Sequence, residues 1–392
     1  MEFAHELNGK KVTVKVFFTD YTPELFKLDV DIFHKFNTMV WRSHKDAPKN
    51  IRSYVRMLRD YEVFFRSDIY KAIKAGINPK IDFNEYQEFV GKQISKLILI
   101  ILERNPNVIP QEKLTINLTV YDKKVDGCLG GLDWESSSRY LVSLTFNGTA
   151  LLSRIYLPWL YTKHFDAAFW LKSIDHELEH QTAVIRELYQ KQEKQQNKFS
   201  KKIVQGKLKA SFYEIYEILC GLQTEGTAVF RDWQNRTSVP FDLKHIEKLK
   251  AMLIATSQME SKEEAEAFLE KRFHPTGETG EYYLGYLMCY FIGLSKLKKK
   301  RKAHPYLKVY VNGLVEIKFT DLNNFLSNFK VAKLEALDPL TFKETYAYLS
   351  TIKDHKKLIL NYLAACKELG LKEPVIFFDM NFYNLLLKNA QK

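Results

Sequence analysis

His176 and His180 stand four residues apart in the stretch SIDHELEHQTA, and Glu177 directly follows the first histidine. Residues four apart on a helix project from one face, about 6 Å from each other. Two imidazoles at that spacing can reach one divalent ion, each through a ring nitrogen roughly 2.0–2.1 Å from it. The residue after the first histidine lies about 100° around the helix, so it misses the ion but reaches a water beside it. His176-Glu177-x-x-His180 therefore offers two ligands and one base, provided the segment is helical. The competing reading is a polar face on an amphipathic helix.

Catalytic zinc takes three protein ligands and keeps a fourth position open. The candidate third ligand is Glu225 in QTEGTAVF, on the next predicted helix. Gly226 and Ala228 remove bulk beside it, which is expected to let this helix approach the histidine helix closely.

HELEH followed by EGTA resembles the gluzincin class of zinc metallopeptidases, which pair HExxH with a downstream glutamate, written in several families as E-G-x-A. The resemblance spans roughly residues 114–295. It implies Zn2+ as cofactor, held by His176, His180 and Glu225, with Glu177 as general base and a peptide or protein as substrate. It also implies an upstream sheet edge along which an extended substrate lies, with RYLVSLTF or LLSRIYLP as the candidate strands. Some members add a tyrosine in Y-x-K-G that supports the transition state. Tyr282 in YYLG is similar, with leucine in place of lysine, and Tyr283, Tyr286 and His274 compete for the role. A phenol aimed at a developing oxyanion stabilises it electrostatically; the alternative is aromatic packing at a helix start.

Three departures separate this chain from the better-known patterns. The interval from His180 to Glu225 is longer, no G-x-M-E-N segment precedes the helix, and Val229 stands where thermolysin-like enzymes carry a histidine-steadying aspartate. Asp232, seven residues after Glu225, returns to nearly the same helix face and is the candidate outer partner of a ligand.

The elements that must position these residues follow from periodicity. KKVTVKVFF alternates as a strand, residues 23–77 read as helical, and a helix from about Phe83 to Arg104 ends at NPNVIP. LTINLTVY is a half-buried strand. DGCLGGLDW lacks the GK[ST] of a phosphate-binding loop and reads as turns. Asn147-Gly148 signals a hairpin between RYLVSLTF and LLSRIYLPW. A long helix is expected from about Asp166 to Gln196, with Leu171, Ile174, Leu178, Ile185 and Tyr189 as its apolar stripe, and a second from about Ser211 to Trp233. LKVYVNGLVEIKF forms a hairpin with Asn312-Gly313 at its tip. Asp338-Pro339 opens a helical segment that Gly370 closes.

The expected fold is α+β and predominantly helical. A zincin-like catalytic domain with a small mixed or antiparallel sheet upstream of the HExxH helix occupies residues 83–295. An N-terminal strand and helical region covers 1–82, and a hairpin plus helical domain covers 304–392.

Composition bounds the alternatives. Among 392 residues, 46% are hydrophobic and 27% charged, which is globular rather than disordered. The apolar runs LILIIL and YLMCYFIGL are too short to span a bilayer, so no membrane span is expected. The four cysteines are widely spaced with no CxxC pair, and read as buried thiols of a cytoplasmic protein. The net charge of +12 is densest in KLKKKRKAH, residues 296–304. That block lacks interleaved aromatics and any nucleic-acid-binding motif, so a solvated segment is the simpler reading than nucleic-acid binding. Two other classes remain: a non-haem iron enzyme, since two histidines and a carboxylate also suit Fe(II), and a non-catalytic zincin-like scaffold that binds nucleic acid or a protein partner through basic surfaces.

Overall fold

The computed structural model describes residues 1–7, 9–19, 22–24, 27, 83–104, 113–121, 128–131, 140–147, 167–180, 183–232, 238–241, 243–270, 280–300, 306–307, 309–310, 317–318, 332–335, 337–371 and 378–392. The fold is α+β and mostly helical. Nearly all of the helical reading of residues 23–77 and the strand expected at LLSRIYLPW lie outside the described residues, as do His274 and residues 301–304 of the basic block. No described helix is long and apolar enough to cross a membrane. The chain divides into two compact units, the first ending at Leu178 and the second beginning at Glu179.

The first unit holds a five-stranded sheet. Its strands are β1 (Glu2–Leu7), β2 (Lys10–Thr19), β3 (Lys113–Tyr121), β4 (Cys128–Gly131) and β5 (Tyr140–Asn147), in the order β1-β2-β3-β5-β4. Leu7 pairs with Lys10, so the connection between β1 and β2 is two residues long, and its Gly9 has φ +73°. The sequence there is Asn-Gly, the pair that a two-residue hairpin turn favours. β2, β3 and β5 run parallel, while β1 and β4 are antiparallel to their neighbours. Helix α1 (Phe83–Arg104) buries Tyr86, Val90, Ile94, Ile98 and Ile101, a stripe at steps of three and four. Gly91 lets it approach β1: a methyl there would lie 3.0–3.1 Å from the side chains of Met1 and Phe3.

Two sheet expectations are corrected. β5 has a partner on each side, so RYLVSLTF is an inner strand and not the edge. Among the described residues the strand at that end of the sheet is β4, formed by CLGG, which the sequence reads as turns. Strand pairing uses backbone groups alone, so a glycine-rich segment can serve as an edge without the β-branched side chains that usually announce a strand.

Helix α2 (Ala167–His180) carries the HExxH segment and is one continuous element. Its stripe residues Ile174 and Leu178 are fully buried and Leu171 partly so. The described part of the expected long helix comprises α2 and α3 (Ala183–Val204), with residues 181–182 between them outside the described residues.

The second unit is built around α4 (Phe212–Asp232) and α7 (Gly280–Lys300), with α5 (Leu243–Gln258) and α6 (Lys262–Glu270) between them in sequence and β6 (Ser238–Phe241) after α4. Strands β7 (Tyr306–Leu307), β8 (Val309–Tyr310), β9 (Ile317–Lys318) and β10 (Ala332–Glu335) are short. Tyr306 pairs with Lys318 and Leu307 with Ile317, a register centred on the predicted Asn312-Gly313 tip. β10 lies between β6 and β8.

Helices α8 (Pro339–Leu349), α9 (His355–Leu369) and α10 (Met380–Asn389) complete this unit. Asp338 caps α8 by accepting from the Thr341 N–H at 3.1 Å, with Pro339 following, and Gly370 ends α9 at φ +71°. These helices do not stand apart as a domain over 304–392. Leu349, Ile359, Tyr362 and Leu386 share one buried core with Phe230, Leu253 and Phe291, because the apolar stripe of a helix must be buried against another element.

Candidate metal centre

His176, His180 and Glu225 are brought together. Each offers one ligand atom, and the three atoms lie within 4.8 Å of one another. α2 delivers the two histidines because they are one turn apart on an unbroken helix. α4 delivers Glu225, which is partly exposed, while the His180 ring is buried. His180 Nε2 and Glu225 Oε2 are 3.4 Å apart. Ligand bonds of about 2.0–2.1 Å in tetrahedral directions separate donor atoms by roughly 3.3–3.4 Å, so this spacing suits a zinc ion between them. An ion pair alone would also hold His180 to Glu225. It would not require the His176 nitrogen to converge on the same two atoms.

The other ring nitrogen of His180 is also occupied: Nδ1 lies 3.5 Å from the Tyr189 hydroxyl. The direction of this contact follows the tautomer: with Nε2 protonated toward Glu225, Nδ1 accepts from the hydroxyl, whereas with Nε2 on a metal ion the Nδ1–H donates to it, the arrangement that orients a metal-ligating histidine. Tyr189 reads in the sequence as one more apolar stripe residue, and only its hydroxyl distinguishes it.

Glu177 is largely buried, directly after His176 on the same helix. Its neighbour two residues on, Glu179, is buried as well. The Arg231 guanidinium donates to the Glu179 carboxylate, and the Tyr346 hydroxyl donates to the same oxygen, Oε2, at 2.5 Å. Arg231 Nη1 also reaches the Tyr346 hydroxyl at 3.3 Å, and its Cζ lies 5.7 Å from the ring centroid. Burial, with the Glu179 charge beside it, pushes the Tyr346 phenol well above its ordinary pKa. It therefore remains a hydrogen-bond donor at neutral pH. Nothing in the HExxH pattern marks the residue before the second histidine as the carrier of a buried ion pair. Its arginine is 52 residues away.

The small residues beside Glu225 serve a different neighbour from the expected one. A methyl on Gly226 would lie 2.6 Å from the backbone of Gly285 in α7. The glycine thus admits α7 to α4, rather than the histidine helix. Ala228 and Val229 are buried in the core.

Tyr282 sits in the first turn of α7, half-buried and packed against the hydrophobic core. Of its rivals, Tyr283 is buried and Tyr286 is an interior aromatic, 5.6 Å from the Tyr290 ring. Asp232 is fully buried at the end of α4. Its charge acts on Tyr286, whose phenol is raised well above its ordinary pKa by burial first and by nearby groups including Asp232. Cys220, Cys289 and Cys366 are free, buried thiols, as the spacing suggests. Burial pushes each up to about 12, so they are protonated and inert.

Comparison of the chain with models of protein families, with curated proteins and with solved structures returns no match.

Proposed function

We propose that this chain is a zinc-dependent peptidase with a zincin-like arrangement of sheet and metal helix. The observation that carries the reading is the convergence of one ligand atom each from His176, His180 and Glu225. It is supported by the outward anchoring of His180 on Tyr189 and by a mixed sheet, upstream of the HExxH helix, that ends in an antiparallel edge strand, β4. His176, His180 and Glu225 would hold the zinc ion. When bound, zinc acts as a Lewis acid and lowers the pKa of its water from about 15.7 to roughly 7.

The protein's own part is proton transfer and orientation. Glu177 accepts a proton from the water as its oxygen adds to the peptide carbonyl carbon. The same carboxyl then returns the proton to the leaving amine nitrogen as the C–N bond breaks. Tyr282 is the candidate donor to the carbonyl oxygen as charge develops there. Asp232, fully buried at the end of α4, is the candidate outer partner of a ligand.

The test is Glu177→Gln, assayed on an unfolded protein substrate and by metal analysis of protein purified without added metal. The wild type should carry one zinc per chain and cleave the substrate. The variant should keep the zinc and lose cleavage by at least ~100-fold, the scale of a general base. Cleavage by the variant at the wild-type rate removes the base role; a wild type that holds iron or no metal removes the zinc peptidase reading.

A further inference from the structure

We propose that Glu179, Arg231 and Tyr346 are positioning residues for the metal centre: a buried clamp that holds the last turn of α2 in register with α4. The proposal rests on the zinc reading above.

Glu179 and Arg231 are each only 2% exposed, so both charges have left water. Replacing a buried ion pair by apolar residues of similar volume is often neutral or stabilising, so stability alone is a poor reason for placing one in a core. What such a pair supplies is geometry. The bonds from Arg231 Nη1 and the Tyr346 hydroxyl to Glu179 form in one arrangement only, and a slip of either helix strands a charge.

The location decides what that geometry controls. Glu179 is adjacent to His180 on α2. Arg231 is six residues beyond Glu225 on α4, about 9 Å further along that helix. α2 and α4 therefore meet at two points: His180 against Glu225, and Glu179 against Arg231. One contact between two rods is a pivot. A second, displaced along the axis, fixes the crossing angle and the rotation of the turn that presents the ligands. Tyr346 adds a third direction from α8. Asp338 and Thr341 fix the start of α8, and the buried Gln223 side chain of α4 donates to the Ile352 carbonyl just beyond its end, at 2.8 Å. The clamp is thus held from two helices that do not depend on the metal.

The experiment measures zinc affinity by competition with a chelator, together with thermal unfolding of the metal-free protein. Three proteins are compared: the wild type, the apolar pair Glu179→Met/Arg231→Met, and Tyr346→Phe. A clamp of this kind predicts that the apolar pair keeps the metal-free melting temperature within a few degrees while its zinc dissociation constant rises 10–100-fold, the range found for outer-shell partners. Tyr346→Phe keeps both charges paired and should weaken zinc binding about 10-fold, the lower end of that range. A purely structural role would shift the melting temperature and leave the affinity of the folded protein unchanged. Wild-type zinc affinity in a folded apolar pair overturns the clamp while leaving the zinc reading intact. If that pair does not fold, wild-type affinity in Tyr346→Phe overturns it. A wild type that binds no zinc refutes the zinc reading itself and, with it, the clamp.

Discussion

Gly226 and Gly285 meet backbone to backbone: a methyl group on Gly226 would stand 2.6 Å from both Cα and C of Gly285. Backbone atoms cannot rotate aside, so α4 and α7 would have to separate. Alanine elsewhere in a helix interior gains about 1 kcal/mol over glycine, but overpacking here costs about 1–3 kcal/mol or more. Gly226→Ala is therefore expected to lower the urea midpoint and, because Glu225 is adjacent, to weaken zinc binding. Gly221→Ala is the matched control. Its methyl would meet the mobile end of the Glu281 side chain at 3.3 Å, which can shift, so its stability should hold or rise. Equal midpoints for Gly226→Ala and the wild type would contradict the helix contact.

How much of this the sequence discloses depends on the range of the interaction. Local signals carry well. The spacing of His176 and His180, the bounds of α1, the Asp338 cap and the Gly370 terminus all appear where the pattern puts them. Long-range partners do not. A glycine beside Glu225 announces a close approach but not by which helix, and the partner, Gly285, is far away in the chain. Glu179 looks like a solvated charge until Arg231 is found next to it. β4 escapes because CLGG carries no strand-forming side chains, and β1 because EFAHEL alternates too weakly, although the Asn-Gly that follows it marks the turn.

Tyr189 makes a separate prediction. Its hydroxyl is the group shown at His180 Nδ1, at 3.5 Å. Tyr189→Phe keeps the ring and removes only that hydroxyl. The zinc dissociation constant should rise about 10-fold, the lower end of the range for such partners, with little change in metal-free stability. Isothermal titration with zinc reads this directly. Unchanged affinity would mean that the contact does not orient the imidazole.

Metal removal should be visible as lost stability. A ligand that binds only the folded chain stabilises it by RT ln(1 + [L]/Kd), about 4 kcal/mol at a thousandfold excess over Kd. Chelation should accordingly lower the melting temperature of the wild type, and added zinc should restore it. Glu225→Ala removes one of the three ligands and should show a much smaller response to either treatment. A wild type whose melting is indifferent to chelator and to zinc would place no tight metal at this centre.

His355 governs the last prediction, away from the metal. It opens α9, and its ring is packed between Tyr216 and Tyr383, with centroids at 5.6 and 5.9 Å. The side chain is buried, and Nε2 has no hydrogen-bond partner among the described residues. Burial pushes its pKa from 6.5 down to about 4, against the Asp354 carboxylate, which raises it, and with Lys356, which lowers it further. The folded state therefore holds the neutral ring, whereas the unfolded chain binds a proton near pH 6.5. Between these two values the unfolded state carries more protons, so stability is fully present above about pH 6.5 and is lost as the pH falls toward 4. The shift corresponds to about 3 kcal/mol at its acid limit. His355→Phe keeps an aromatic ring in the slot and removes the titration. Urea midpoints at pH 7 and pH 4.5 should show the wild type losing more stability than the variant over that interval. Parallel losses in the two proteins would show that the imidazole is hydrated or paired in solution.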